Sequence, residues 1–290
     1  MGHDKLRKFA ENETFACLVQ PDSKDLLADG YLNLRDHEIK GKWAEFFKSL
    51  GGDPSKPIVL ELGCGKGEYT VDLAMRDPSR NYIGVDIKGA RLWKGAKFAT
   101  QQGLTNVAFL RTRIEFISAF FGKDEVSEIW LTFSDPQFRS ENSRLTSPVF
   151  LERYRPFLKP GGLVHLKTDS MFLHQYTRAV CKVNDFEVLK CTGDLYGTDP
   201  KTLFGEEISL DDRAVFEVQT FYEKMFLEQG YKINYMRFRI DHDGPFAKVA
   251  DPEDFDTAYW RSVEGPRLLF GHDSAETRRQ KLASGEPVDE

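Results

Sequence analysis

Three glycines at alternate positions, Gly63, Gly65 and Gly67, close the run Ile58-Val-Leu-Glu-Leu-Gly-Cys-Gly-Lys-Gly67, and two carboxylates frame them. Glu61 stands just before the first glycine, and Asp86 ends the next apolar run, Tyr82-Ile-Gly-Val85. Glycine is required in such a turn because a Cβ would block both its dihedrals and the close approach of a ligand to the backbone. A carboxylate at the end of the following strand is where a doubly wound sheet holds ribose hydroxyls. The spacing is G-x-G-x-G, whereas a loop that aims a helix N-terminus at a pyrophosphate reads G-x-G-x-x-G. With an acid in front, this loop suits a ligand that has a ribose, no phosphate and a cationic amino-acid portion.

Two further carboxylates fall at predicted strand ends: Asp135 in Phe133-Ser-Asp-Pro136 and Asp169 in Lys167-Thr-Asp169. Ligands of open sheets bind beyond the carboxyl ends of the strands, so both acids should share a crevice with Glu61 and Asp86. Plainer roles compete. Asp169 or Ser170 is placed to cap a helix starting at Met171, and Asp135 lies in an Asp-Pro turn.

The elements that must position these groups alternate. Strands are predicted at 58–62, 82–85, 107–110, 129–133 and 163–167, separated by helices at 69–76, 91–102, 115–121 and 148–158. That is the pattern of an open parallel sheet with helices on both faces. Lys159-Pro-Gly-Gly162 reads as a helix stop before a new strand. A helix at 172–183, a strand at 186–191, a helix at 221–228 and a strand at 233–240 complete the core, the last pair suiting an antiparallel addition to the sheet edge. Residues 1–40, polar with a basic start, read as an extension with little structure of its own. Residues 241–290 form an acidic extension with twelve Asp or Glu against six Lys or Arg. Tyr259, Trp260 and Leu268-Leu269-Phe270 should pack part of it on the core, and the last dozen or so residues should be disordered.

Composition sets few limits. The 290 residues are 40% apolar and 30% charged, an ordinary globular balance. Four scattered cysteines without C-x-x-C or a histidine pair at ligand spacing predict free thiols and no metal site. No apolar run approaches the roughly 18 residues of a membrane span, and no signal peptide opens the chain, so a soluble cytoplasmic protein is expected.

The glycine loop with its two acids resembles the first motifs of class I S-adenosylmethionine-dependent methyltransferases. Their fold is Rossmann-like α/β, a three-layer sandwich around a mostly parallel seven-stranded sheet whose last strand is antiparallel. Further along, Thr132-Phe-Ser-Asp-Pro-Gln137, Arg139, Arg144-Leu-Thr-Ser147, His165-Leu-Lys-Thr-Asp169 and Thr220-Phe-Tyr-Glu223 fall in the order found in bacterial tRNA (guanine-N7)-methyltransferases. The resemblance spans about Lys5 to Ile240 and makes 41–240 the methyltransferase domain. It implies methyl transfer from S-adenosylmethionine to N7 of a variable-loop guanosine of tRNA, by a monomer or homodimer. Glu61, Gly63, Gly65, Gly67, Asp86 and Asp135 would then bind the cofactor. Asp135 and Asp169 would be catalytic, and Arg139, Arg144, Asp169, Thr220 and Glu223 would bind substrate. The chain departs from the family pattern at Ser134, commonly proline, and at Gln137, commonly tryptophan. Its basic cluster is thinned to Arg139 and Arg144, and Arg111-Thr-Arg-Ile114 offers no carboxylate or amide for the adenine.

Guanine N7 carries a lone pair and no proton, so its attack on a methyl group needs no general base. Alignment is what an enzyme must supply, up to about 7–11 kcal/mol of barrier. Asp135 and Asp169 are therefore expected to orient the base and offset its developing positive charge. The net charge of −6 does not exclude RNA, because phosphate contacts are local and screened beyond about 8 Å. Rival readings are weaker. A DNA amino-methyltransferase needs a second proline and a stacking ring where Gln137 stands, the glycine spacing disfavours a nicotinamide dehydrogenase, and a non-catalytic binding module has no use for both aspartates.

Overall fold

The computed structural model describes residues 3–31, 33–264, 268–269 and 272–273. Apart from a small separate pair at Leu268–Leu269 and His272–Asp273, the strands among the described residues are β1 (Leu18–Val19), β2 (Ile58–Leu62), β3 (Asn81–Asp86), β4 (Val107–Arg111), β5 (Val126–Thr132), β6 (Leu158–Thr168), β7 (Val188–Thr192) and β8 (Asn234–Phe238). These eight form one sheet in the order β1-β4-β3-β2-β5-β6-β8-β7. Only β8 runs antiparallel to its neighbours. It lies between β6 and β7, so the last pair of strands is added at the sheet edge, as the sequence pattern suggests.

The helices are α1 (His3–Asn12), α2 (Ser23–Leu26), α3 (Trp43–Ser49), α4 (Glu68–Arg76), α5 (Gly89–Gln102), α6 (Pro148–Tyr154), α7 (Met171–Val183), α8 (Pro200–Phe204), α9 (Leu210–Glu217), α10 (Phe221–Glu228) and α11 (Thr257–Glu264). One core joins α3, α6 and α7 to one sheet face through Trp43, Phe47, Phe150, Tyr154 and Phe172. The other joins α4, α5 and the α8–α10 segment to the opposite face through Tyr69, Leu92, Phe109, Val215 and Phe226. Alternation along each strand divides the two. In β5 and β6, Ile129, Leu131, Val164 and Leu166 point into the first core. Glu128, Trp130, Thr132, His165 and Lys167 point to the second face, where they form a buried polar column.

The sheet has eight strands where seven were expected. The extra one belongs to the N-terminal segment, which is ordered. Arg7 and Lys8 sit over the Trp93 ring of α5, Trp93 Nε1 donates to Glu11 (2.8 Å), and Phe109 N donates to Cys17 O (2.7 Å), which lays β1 beside β4. Two of its basic residues, Arg7 and Lys8, are thus engaged with α5, which composition alone does not reveal. The 115–121 segment is a 3₁₀ turn, Ile114–Ala119. Lys159–Gly162 does not precede β6 but bulges out of it: Val126 pairs with Leu158 and Glu128 already with Leu163. The expectation of disorder at the far C-terminus lies outside the described residues.

Candidate active site

The glycine loop joins β2 to α4. Gly63, Gly65 and Gly67 all take left-handed φ, +81°, +58° and +71°, a region open to glycine at little strain. A Cβ at Gly63 or Gly65 would point into open space, whereas one at Gly67 would strike the Phe109 ring at 2.5 Å. Gly84 and Gly95 make room for the same ring. One phenylalanine of β4 thus sets α4, α5 and the loop in register. The first two glycines leave a cradle against the backbone.

Asp86 ends β3 beside this loop, its Oδ2 accepting from Gly65 N (3.1 Å) and its Oδ1 from Lys88 N (2.7 Å). Two hydroxyls at the same sheet edge, Thr112 Oγ1 beyond β4 and Ser134 Oγ beyond β5, are buried without a hydrogen-bond partner among the described residues. Buried polar groups rarely go unpaired; both oxygens are closed off by the protein, so a ligand would meet them only as this edge opens around it. The cradle, the Asp86 carboxylate and these donors fit a nucleoside that carries an amino-acid tail. Thr112 was not singled out in the sequence, because a threonine after a strand carries no signal until its surroundings are known.

Glu61 is differently placed. It is 3% exposed; its Oε2 accepts from Thr70 N (2.9 Å) and Thr70 Oγ1, and its Oε1 from Thr132 Oγ1 (2.5 Å). Burial pushes its pKa up, against the opposing pull of the Thr132 and Thr70 hydrogen bonds. Glu61 therefore ties β2, β5 and the first turn of α4 together beneath the loop. Its effect on a ligand is through loop position and through its charge.

Asp135 and Asp169 come together at the ends of the adjacent strands β5 and β6, where Thr132 is paired with Lys167. Asp135 is exposed, its Oδ1 accepting from Gln137 N (2.9 Å). Its turn is bounded by two non-glycine residues with positive φ, Phe133 at +49° and Gln137 at +48°. Backbone of this kind costs on the order of 1–3 kcal/mol per residue and collects at functional sites. Asp169 is half-buried, and the cap of α7 is its neighbour Ser170, whose Oγ accepts from Leu173 N (3.0 Å). The capping role competing for Asp169 is thus filled by another residue.

The remaining candidates divide. Arg139 is exposed on the loop after Asp135. Arg144, expected to meet a phosphate, is instead 3% exposed. Its guanidinium lies 4.7 Å from the Phe172 ring centre and 4.3 Å from that of Tyr176, and its Nε donates to Gln137 O (3.4 Å). This corrects the sequence reading: Arg144 braces the Asp135 turn from behind, because two rings of α7 offer its flat cation a stacking slot. Thr220 caps α10, its Oγ1 accepting from Glu223 N (3.1 Å). Glu223 is fully buried and paired with equally buried Lys167 (2.7 Å), and accepts from the Tyr196 hydroxyl (2.5 Å). Lys167 Nζ also donates to Val215 O (2.8 Å) and Val218 O (2.9 Å). Burial raises the Glu223 pKa and lowers that of Lys167, each opposed by the partner's charge. The Glu223 carboxylate thus anchors the start of α10, where Phe221 N donates to Glu68 Oε2 of α4 (3.2 Å). Phe221 is 50% exposed, with Lys66 of the glycine loop 5.3 Å from its ring centre.

Such an edge can hold a nucleoside-like cofactor on the glycine-loop side and, between two rim aspartates, a planar group bearing N–H donors. A family model described as "Putative methyltransferase" matches residues 55–227, more than half of the chain. The chain is 48% identical over 242 residues to the tRNA (guanine-N(7)-)-methyltransferase of Christiangramia forsetii, covering 82% of this chain and 98% of that protein. It is 46% identical over 245 residues to the protein of the same name from Bacteroides thetaiotaomicron, covering 84% and 88%. With that of Levilactobacillus brevis it shares 33% over 219 residues, covering 73% and 92%. Among solved structures, the 16S rRNA methyltransferase KamB aligns over 70% of this chain and 94% of that one, at 16% identity and a TM-score of 0.47.

Proposed function

The chain belongs to the tRNA (guanine-N7)-methyltransferases, and on that premise we propose that Asp135 and Asp169 hold the target guanine while Asp86 and the glycine loop hold the cofactor. The enzyme transfers a methyl group from S-adenosylmethionine to N7 of guanosine in tRNA. When bound, S-adenosylmethionine supplies a methyl group activated by a positive sulfonium.

The observation that carries the assignment of roles is the contrast in where the carboxylates lie. Glu61 and Glu223 are buried and bonded within the protein, whereas Asp135 and Asp169 stand at the rim. The rim pair accepts hydrogen bonds from the guanine edge that bears N1–H and the amino group, turning N7 toward the cofactor side. Their charge also offsets the cation that forms as N7 gives up its lone pair. No proton leaves N7, so neither aspartate acts as a base. Asp135, next to the end of β5, reaches the cofactor side as well. Gly63 and Gly65 admit the cofactor's amino-acid portion, Asp86 accepts from the ribose hydroxyls, and Thr112 and Ser134 offer hydroxyls to the remaining polar atoms. Arg139 is the phosphate contact on the loop. Among the described residues no helix is long and apolar enough to cross a membrane, and the place of action we propose is the cytoplasm.

Labelled S-adenosylmethionine and unmodified tRNA, with the product nucleosides resolved, test the reading. Label in 7-methylguanosine is expected, strongly reduced by Asp169→Ala at unchanged cofactor affinity. Label in another nucleoside, or cofactor binding without transfer, would refute it.

A further inference from the structure

The C-terminal segment is attached to the pocket by a specific path. β8 runs away from the carboxyl edge, from Asn234 opposite Thr168 to Phe238 opposite Val164. The chain then turns back along α7. Asp241 accepts from Gly161 N in the β6 bulge (3.0 Å), Phe246 N donates to Glu152 (2.7 Å), and Ala247 exchanges two hydrogen bonds with Asn184 at the end of α7 (2.6 and 3.1 Å). Further on, the Phe255 ring meets Phe172 and Tyr176 edge-on, at 5.1 and 5.5 Å. At the end of α11, Glu264 Oε2 accepts from Ser170 Oγ (2.9 Å) and Phe172 N (2.7 Å). The segment thus returns to the edge where Asp169 stands, one residue from Ser170.

Two points on this path, Phe255 and Glu264, touch what holds a rim aspartate. Glu264 fixes the residue after Asp169 by a charged acceptor on an N-terminal helix turn, where a carboxylate also gains from the helix dipole. Phe255 backs the rings that sandwich Arg144, whose Nε holds the Gln137 carbonyl in the Asp135 turn. Phe138 packs on Phe172 as well (4.8 Å).

We propose that the 241–264 strap, through Glu264 on Ser170 and Phe172 and through Phe255 behind Arg144, is a positioning device that sets the spacing of Asp135 and Asp169 for the guanine. This rests on the assignment of those aspartates to the guanine pocket. Glu264 and Phe255 are positioning residues and touch no substrate. The relative that the chain covers to 98% of its length matches only 82% of this chain, so the chain carries sequence beyond what that relative shares.

The test uses the full chain with Glu264→Ala, Glu264→Gln and Phe255→Leu, assayed well below each variant's unfolding temperature. Glu264→Ala should lower kcat for tRNA methylation about tenfold, on the scale by which small misplacements slow aligned reactions. Cofactor affinity should stay within about twofold, since the glycine loop lies on other elements. Glu264→Gln keeps an oxygen acceptor and should recover most of the rate, and Phe255→Leu should fall between. Should the alanine variant not fold, Glu264→Asp, which withdraws the carboxylate by one methylene, carries the same comparison. An unchanged kcat in Glu264→Ala would reduce the contact to a helix cap. A raised kcat would mean that the strap obstructs the pocket. Either result overturns the proposal and leaves the methyltransferase reading intact, because wild type and Asp169→Ala run alongside report on that reading separately.

Discussion

Two sets of carboxylates, one inside the fold and one at its rim, do opposite work. Glu61, Glu128 and Glu223 are buried on one sheet face, each met by donors or a cation of the protein itself. Asp135 and Asp169 sit beyond the strand ends on the open side. The buried set spends its charge on holding strands, loop and α10 together, while the rim set is the one we propose to meet the ligand. On that proposal, an acid near a strand end serves the ligand where the fold leaves it at the rim, and the fold itself where it is buried.

The largest effect should come from splitting the buried set. Lys167→Met leaves Glu223 without its cation and should cost about 3–5 kcal/mol of stability, read as the shift in urea unfolding. Replacing both partners by apolar residues should recover much of it. If Lys167→Met unfolds like wild type, the buried pair does not hold α10 and the contrast fails. At the rim the reverse holds. Asp135→Ala should slow single-turnover transfer about 10²–10³-fold while leaving the unfolding midpoint nearly unmoved.

Acid should also separate the sets. Burial opposes ionisation of Glu128, but the His165 ring and the Arg80 guanidinium outweigh it and hold its pKa down to about 2, from an ordinary 4.5. A carboxylate with a depressed folded pKa contributes stability above its ordinary value and loses it as pH falls through the folded one. Wild type should thus weaken as pH drops from about 4.5 toward 2, and Glu128→Gln should show a shallower slope there, measured by urea midpoints across pH. The smallest effect compares two arginines. Arg139→Gln should reduce the salt slope of tRNA binding by about one, whereas Arg144→Lys should leave the slope alone and lower kcat/KM, since its guanidinium faces two rings and a carbonyl. Equal slopes for the two would return Arg144 to the RNA surface.

Much of this was legible in the sequence. The glycine triplet, the two strand-end acids behind it and the alternation of apolar runs lead to the sheet, its antiparallel last strand and the crevice. What stayed hidden depends on partners distant in the chain. Arg144 reads as a loop cation until α7 supplies Phe172 and Tyr176. Glu223 reads as an available acid until β6 brings Lys167 under α10. The N-terminal basic residues read as an unstructured arm until Trp93 turns up in α5 to receive them. Local pattern reports which face of a strand a residue takes, and only the packed fold reports what is already bonded there.

The measurement closest to the central claim is the pH dependence of single-turnover methyl transfer to unmodified tRNA, by wild type and Asp169→Asn, with 7-methylguanosine as the product counted. If the rim aspartates orient and offset charge, the wild-type rate shows no limb of an essential base between about pH 6 and 9, and Asp169→Asn is slower at every pH with the same profile. A wild-type limb near neutrality that vanishes in Asp169→Asn would make Asp169 a base and contradict the account.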